Sequence, residues 1–145
     1  MTGSPPPQAA RFKRALIDAG FEVFRTRGEE IVLAERPREN LIMDSGVRLR
    51  MSEPLEVRVV LRVQKADFPH DDEPALFARV RQLGERSLEG DGFAEVSASV
   101  IPVPDPGDAA RTLDTFYEIT YARAAPGLED AIALLKFALG LEKRA

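Results

Sequence analysis

Apolar residues in this chain follow two rhythms. Between Ala9 and Ala19 the positions Phe12, Ala15, Leu16 and Ala19 recur at i, i+3, i+4 and i+7, the spacing of one helix face. Gly20 follows, where a helix end favours glycine. The period then drops to two. "FEVFRTR" and "EIVLAERP" are short strand candidates joined across Gly28 and Glu29. In "NLIMDSGVRLRMS" the residues Leu41, Met43, Val47, Leu49 and Met51 share one parity, and Asp44, Arg48 and Arg50 hold the other. "LEVRVVLRVQK" sets Leu55, Val57, Val59, Leu61 and Val63 against Glu56, Arg58, Arg62 and Gln64. Such alternation predicts antiparallel strands with one buried face.

The turn between the last two strands follows from matching their faces, because residues directly opposite in an antiparallel pair lie on the same side. A two-residue turn at Glu53-Pro54 sets Arg50 against Val57 and fails. A three-residue loop, Ser52-Glu53-Pro54, sets Met51 against Leu55, Leu49 against Val57 and Arg50 against Glu56. It satisfies both faces and predicts an Arg50–Glu56 ion pair outside.

Beyond Pro69 the helical rhythm returns in Leu76, Val80, Leu83 and Ser87, with Phe77, Gly84 and Leu88 beside them, and Gly90-Asp91-Gly92 ends it. "FAEVSASVIPV" predicts a strand, "PDPGDAAR" a long turn or loop, and "TLDTFYEITYAR" a second strand with Leu113, Tyr117, Ile119 and Tyr121 on one face. After Pro126-Gly127, "LEDAIALLKFALGLEKRA" predicts a helix to the end of the chain. Glu129 and Asp130 fall in its first turn and Lys143 and Arg144 in its last, matching the helix dipole. Its apolar side is wide, with Phe137 and Leu141 adjoining the main stripe, so it is either nearly buried or turned in part toward another subunit. The order helix, three or four strands, helix, two strands, helix predicts an α+β fold with an antiparallel sheet. We expect one domain over residues 9–145 behind a disordered, proline-rich leader, residues 1–8.

Composition narrows the function classes. A chain of 145 residues with 44% hydrophobic and 30% charged residues has the makings of one ordinary globular domain. Its lack of cysteine removes disulfides, thiolate nucleophiles and cysteine-ligated metals. No run reaches the ~20 apolar residues of a membrane span, and a cytoplasmic protein without membrane contact is the expectation. The net charge of −4 is uneven: 12 Lys and Arg against 9 Asp and Glu up to Lys65, then 8 against 15. An acidic chain is a poor nucleic-acid binder, since phosphate contacts supply most of that affinity.

Three clusters are candidates for chemistry. "KADFPHDDEPALF" holds the one histidine, His70, beside Asp71, Asp72 and Glu73. A metal site needs three or four ligands converging from separate elements. Here Asp72 or Glu73 can instead cap a helix that begins near Pro74. That reading leaves no catalytic residue, no metal and no cofactor. No Gly-x-Ser-x-Gly elbow or Walker loop is present either. Arg48, Arg50, Arg58 and Arg62 share the polar parity of the paired strands, with Glu56 as the acid among them. They offer either a patch for an acidic or anionic partner or a solvated face whose stems cover apolar surface. Tyr117 and Tyr121, with Phe116 beside Tyr117 in the same strand, are either core-edge residues or a contact surface.

The segments "ARFKRALIDAGFEV", Leu41 to Lys65, "LFARVRQLGERSLEGDGF" and "FYEITYARAAPGLEDAIALLKFAL" stand in an order that resembles the small, acidic, dimeric chaperones of type III secretion and the YbjN-like proteins of the same fold. The resemblance covers most of the chain as order and size, without a shared motif. It implies dimerisation and binding of a partner polypeptide without catalysis. The expectation is therefore a non-enzymatic protein-binding domain, chaperone-like or adaptor. Its partner-binding residues would be Arg48, Arg50, Arg58, Arg62, Tyr117, Tyr121, Phe137 and Leu141, and its partner a protein or a second copy. A helix-grip fold with a small-ligand cavity lined by Tyr117, Tyr121 and the last helix is the alternative.

Overall fold

The computed structural model describes residues 7–145. The expected leader falls mostly on residues 1–6, outside the described ones; Pro7 and Gln8 already belong to the first helix. Along the chain come α1 (Pro7–Asp18), β1 (Val23–Arg27), β2 (Glu30–Arg38), β3 (Leu41–Arg50), β4 (Leu55–Gln64), α2 (Glu73–Ser87), β5 (Ala94–Asp105), β6 (Asp108–Ala125) and α3 (Leu128–Leu139). The fold is α+β, its antiparallel sheet ordered β1-β2-β3-β4-β6-β5. Four strands precede α2.

The chain groups into two compact units. The first takes the chain up to Val59 with Arg123–Gly140; the second takes Val60–Ala122 with Leu141–Ala145. In the first unit, α1 packs on β1 and α3 on β3. Its core holds Leu16, Ile31, Leu33, Val47, Leu49, Val57, Val59 and Leu135, all at 0% exposure. The β3–β4 register is the one the faces dictate: Leu49 lies opposite Val57 and Arg50 opposite Glu56.

Parity does not hold along the whole of β3. Between Val32↔Arg48 and Ala34↔Asp44 the pairing advances two residues on β2 and four on β3. This irregularity is built from short polar groups. The Gly46 amide, at φ +81°, donates to Asp44 Oδ1 (2.8 Å). Ser45 Oγ donates to the Leu33 carbonyl (2.7 Å) and accepts from the Val47 amide (3.1 Å), so a buried hydroxyl is fully engaged. Before it, Leu41 and Met43 stand 43% exposed, although they share the parity of buried Val47 and Leu49.

In the second unit, Leu61, Val63, Leu76, Val80, Leu88 and Ile119 are buried. Helix α2 ends in a short 3-10 turn, Glu89–Asp91. There the Gly92 amide donates to the Glu89 carbonyl (3.1 Å) and the Phe93 amide to the Leu88 carbonyl (3.2 Å). Helix α1 ends in the same way, Gly20 donating to Ile17 and Phe21 to Leu16, both at 3.0 Å. Both glycines have positive φ, +99° and +82°, and both phenylalanines are buried with the leucine five residues back. These are Schellman ends.

Two sequence expectations fail. "PDPGDAAR" is not a long loop. Strands β5 and β6 continue through it to a two-residue turn, Pro106-Gly107, with Asp105 paired to Asp108. The carboxylates of Asp105 and Asp108 accept from the Gly107 and Ala110 amides (2.8 and 3.1 Å), an Asx-type local bond that holds the turn. Nor does the last helix reach the end. It stops at Leu139 with Gly140 as its C-cap, and Lys136, not Lys143 or Arg144, occupies its last turn. The tail instead lies beside β4, the Arg62 amide donating to Lys143 O and the Ala145 amide to Arg62 O (3.0 and 2.8 Å).

Candidate functional site

The stretch around His70 is a helix start. Asp72 is the N-cap of α2; its Oδ1 accepts from the Ala75 amide at 3.0 Å, and Pro74 sits in the first turn. Asp71 pairs with Arg79 Nε at 2.6 Å, and Arg79 in turn lies 3.7 Å over the Phe68 ring. Lys65 Nζ donates to the carbonyls of Pro69 (3.0 Å) and Asp71. His70 itself is exposed. Among the described residues no group of three or more His, Asp or Glu side chains is placed to hold a metal ion.

The arginines line the polar side of the sheet, but not as an open cationic patch. In the first unit the register sets Arg27, Glu30, Arg50 and Glu56 in one row across four strands, a charge of alternating sign. The next row is Arg25, Val32, Arg48 and Arg58. Val32 is only 1% exposed between its arginine neighbours, as stems laid over apolar surface would leave it. Arg48 pairs with Asp44 at 2.9 Å and Arg58 with Glu56 at 3.0 Å, and Glu30 lies 3.9 Å from each guanidinium. Arg50 turns to Glu29 at 3.4 Å, so the expected Arg50–Glu56 ion pair does not form even though the two residues are opposite. Arg62 belongs to the second unit, where it meets Glu118 at 2.9 Å and lies 4.8 Å over the Phe116 ring. The expectation of Glu56 as the one acid is corrected: Glu29, Glu30, Asp44 and Glu118 neutralise this face as well. Three of these four come from outside β3 and β4, where linear parity does not look.

The two tyrosines divide. Tyr121 is 2% exposed and lies on Gly84 of α2. Burial, with Glu95, Glu89 and Glu85 nearby, pushes its phenol up to about 12. Tyr117 is half-buried and meets Phe77 edge-on, centroids 5.4 Å apart at 89°. Beside them Arg81 grips Glu95 with two hydrogen bonds, 3.0 and 3.1 Å, which hold the carboxyl below its usual range and the guanidinium above. On the first unit's α3, Phe137 is 37% exposed; Leu141 lies past the helix end and is half-buried. A cavity of about 260 Å³ lies in the first unit among Gln8, Phe12, Met51, Glu53, Leu55 and Pro126, below the ~300–1,000 Å³ usual for ligand sites.

Exposed apolar surface gathers elsewhere, on two ribbon ends that parity did not single out. In the first unit the outer part of the β2–β3 hairpin bares Leu41 (43%), Ile42 (39%) and Met43 (43%). In the second, the β5–β6 hairpin bares Val96 (49%), Val100 (44%), Ile101 (40%) and Leu113 (61%). Ala66, just past β4, donates to Asp114 Oδ1 at 3.0 Å. Ahead of Asp114, residues 108–113 of β6 are therefore beyond the end of β4 and exposed throughout. Scattered exposed apolar residues are ordinary, but contiguous ones mark contact surfaces.

No protein-family model matches this chain, and neither does any curated protein or solved structure. No helix among the described residues is long and apolar enough to cross a membrane.

Proposed function

We propose that this chain is a non-enzymatic protein-binding domain of chaperone-like or adaptor type that works as a dimer. The observation carrying this reading is the run Leu41-Ile42-Met43, three consecutive large apolar residues bared together at a strand end. In an alternating strand, consecutive residues point to opposite sides, so an extended or unfolded polypeptide could be gripped from both. The neutralised arginine face does not favour an anionic small molecule, and we place the client on the ribbon instead.

Light scattering of reduced, denatured lysozyme tests this. The full chain is expected to suppress its aggregation at near-stoichiometric ratio. The triple substitution Leu41→Ser, Ile42→Ser, Met43→Ser should lose the effect while keeping the far-ultraviolet dichroism of the parent. Equal suppression by both proteins, or none by either, rules the reading out.

A further inference from the structure

β5 is the outermost strand of the sheet, so among the described residues one of its edges has no strand beside it. Residues 94–100 are exposed along their whole length, which is unusual for a strand with a regular partner on its other side. Long bare edges invite pairing with another chain, and proteins normally blunt them with prolines, charges or bulges. Here the blunting is local. An irregularity lies between Glu95 and Ser97, and Pro102 and Pro104 occupy the tip. That irregularity leaves Val96 without an opposite residue on β6, and between it and Pro102 residues 97–101 are unprotected.

Centred on Ala98, the sequence Val96-Ser97-Ala98-Ser99-Val100 reads the same in both directions. Two copies crossing antiparallel at a two-fold axis through Ala98 set Val96 against Val100 of the second copy, Ser97 against Ser99, and Ala98 against itself. We propose that the free edge of β5 is a self-pairing surface, joining two β5–β6 hairpins into a four-stranded antiparallel sheet across a two-fold axis. This names the surface for the dimer assumed under the proposed function and rests on that reading.

Two further observations favour a second copy over an unrelated strand. Charge is the first: no charged residue occurs from Val96 through Pro104, and Glu95 is held by Arg81. Identical strands therefore meet with no like charges opposed, the usual obstacle to self-pairing. The second is proline placement. Inside a paired strand, proline turns its missing donor to the unpaired edge. The register from Ser97 to Val103 is unbroken, so Ala98 and Val100, four and two residues before Pro102, present their main-chain groups on that same edge. Pairing about Ala98 uses these groups, and Pro102 ends it.

Because the chain has no cysteine, one introduced thiol gives a clean readout. Opposed residues of a hydrogen-bonded antiparallel pair have Cα atoms ~5.5 Å apart, inside the ~4.4–6.8 Å range of a disulfide. Under mild oxidation at micromolar concentration, Ala98→Cys should cross-link to itself at least tenfold faster than Arg111→Cys, an exposed control on β6. In sedimentation equilibrium the unmodified chain should dimerise. Val100→Lys, which opposes two added positive charges to valines across the axis, should weaken that dimer tenfold or more with unchanged circular dichroism. A monomer at all concentrations, equal cross-linking at both positions, or a Val100→Lys dimer of parental strength overturns the proposal. A monomer that still suppresses lysozyme aggregation sinks the edge pairing and leaves client binding standing. A dimer cross-linked at Ala98 that suppresses nothing does the reverse.

Discussion

Hairpins β3–β4 and β5–β6 are written in similar letters and end in different environments. Both alternate small or branched apolar residues with polar ones. In the first, alternation becomes burial: Val47, Leu49, Val57 and Val59 are fully enclosed while Arg48, Arg50, Glu56 and Arg58 stay partly in solvent. In the second, Val96, Ala98 and Val100 have the same spacing, and each is exposed. Period two thus reports which residues share a face; whether that face is covered depends on helices and strands supplied from elsewhere.

The sharpest way to break this comparison is to truncate matched residues. Leu49→Ala leaves a cavity in a closed core and should cost about 2–5 kcal/mol in urea unfolding. If it costs no more than an exposed residue, β3–β4 is not the core it looks. Next in size is Gly84→Ala. A methyl there would overlap Tyr121 Oη and Cζ and come within 2.9 Å of Cε1, so about 1–3 kcal/mol of overpacking is expected. Tyr121→Phe in the same background, by removing the hydroxyl, should recover part of that loss.

Tyr121 also supplies a pH test of burial on the β6 side. Its phenol is raised from an ordinary 10.0 to about 12. Below the unfolded value both states hold the proton and the stabilisation is whole. Between about 10 and 12 the unfolded chain loses its proton while the folded chain keeps it, so stability falls as pH rises. The parent should lose more stability than Tyr121→Phe across that window; parallel curves would mean the ring is solvated. Asp72→Ala removes the α2 cap and should cost about 1 kcal/mol, read as a lower thermal midpoint. Smallest of all, Leu113→Ala on the exposed ribbon should stay within about 0.5 kcal/mol.

How much of this was legible in the residues follows the same division. The β3–β4 register could be deduced because only one loop length matches both faces. Helix ends at Gly20 and Gly92 were visible as glycines, and the Asp72 cap as an acid before Pro74. The ribbon tip was misread because Pro102, Pro104 and Pro106 signal a loop, whereas proline also fits an edge strand and a turn. The acids beside the arginines were missed since Glu29 and Glu30 belong to the neighbouring hairpin and reach the face only through cross-strand pairing. The exposed Leu41 and Met43 were masked by the irregularity at Ser45-Gly46, where extra residues separate equal parity from equal environment.

The turn at Pro106-Gly107 has one practical consequence. Its flanking bonds are local, from Asp105 to Gly107 and from Asp108 to Ala110, and residues 106–113 are exposed. Foreign sequence spliced between Pro106 and Gly107 should therefore leave the folding of the remainder intact. That makes the tip a natural attachment point for a fluorophore or an affinity handle, from which the edge of β5 can be watched without altering it.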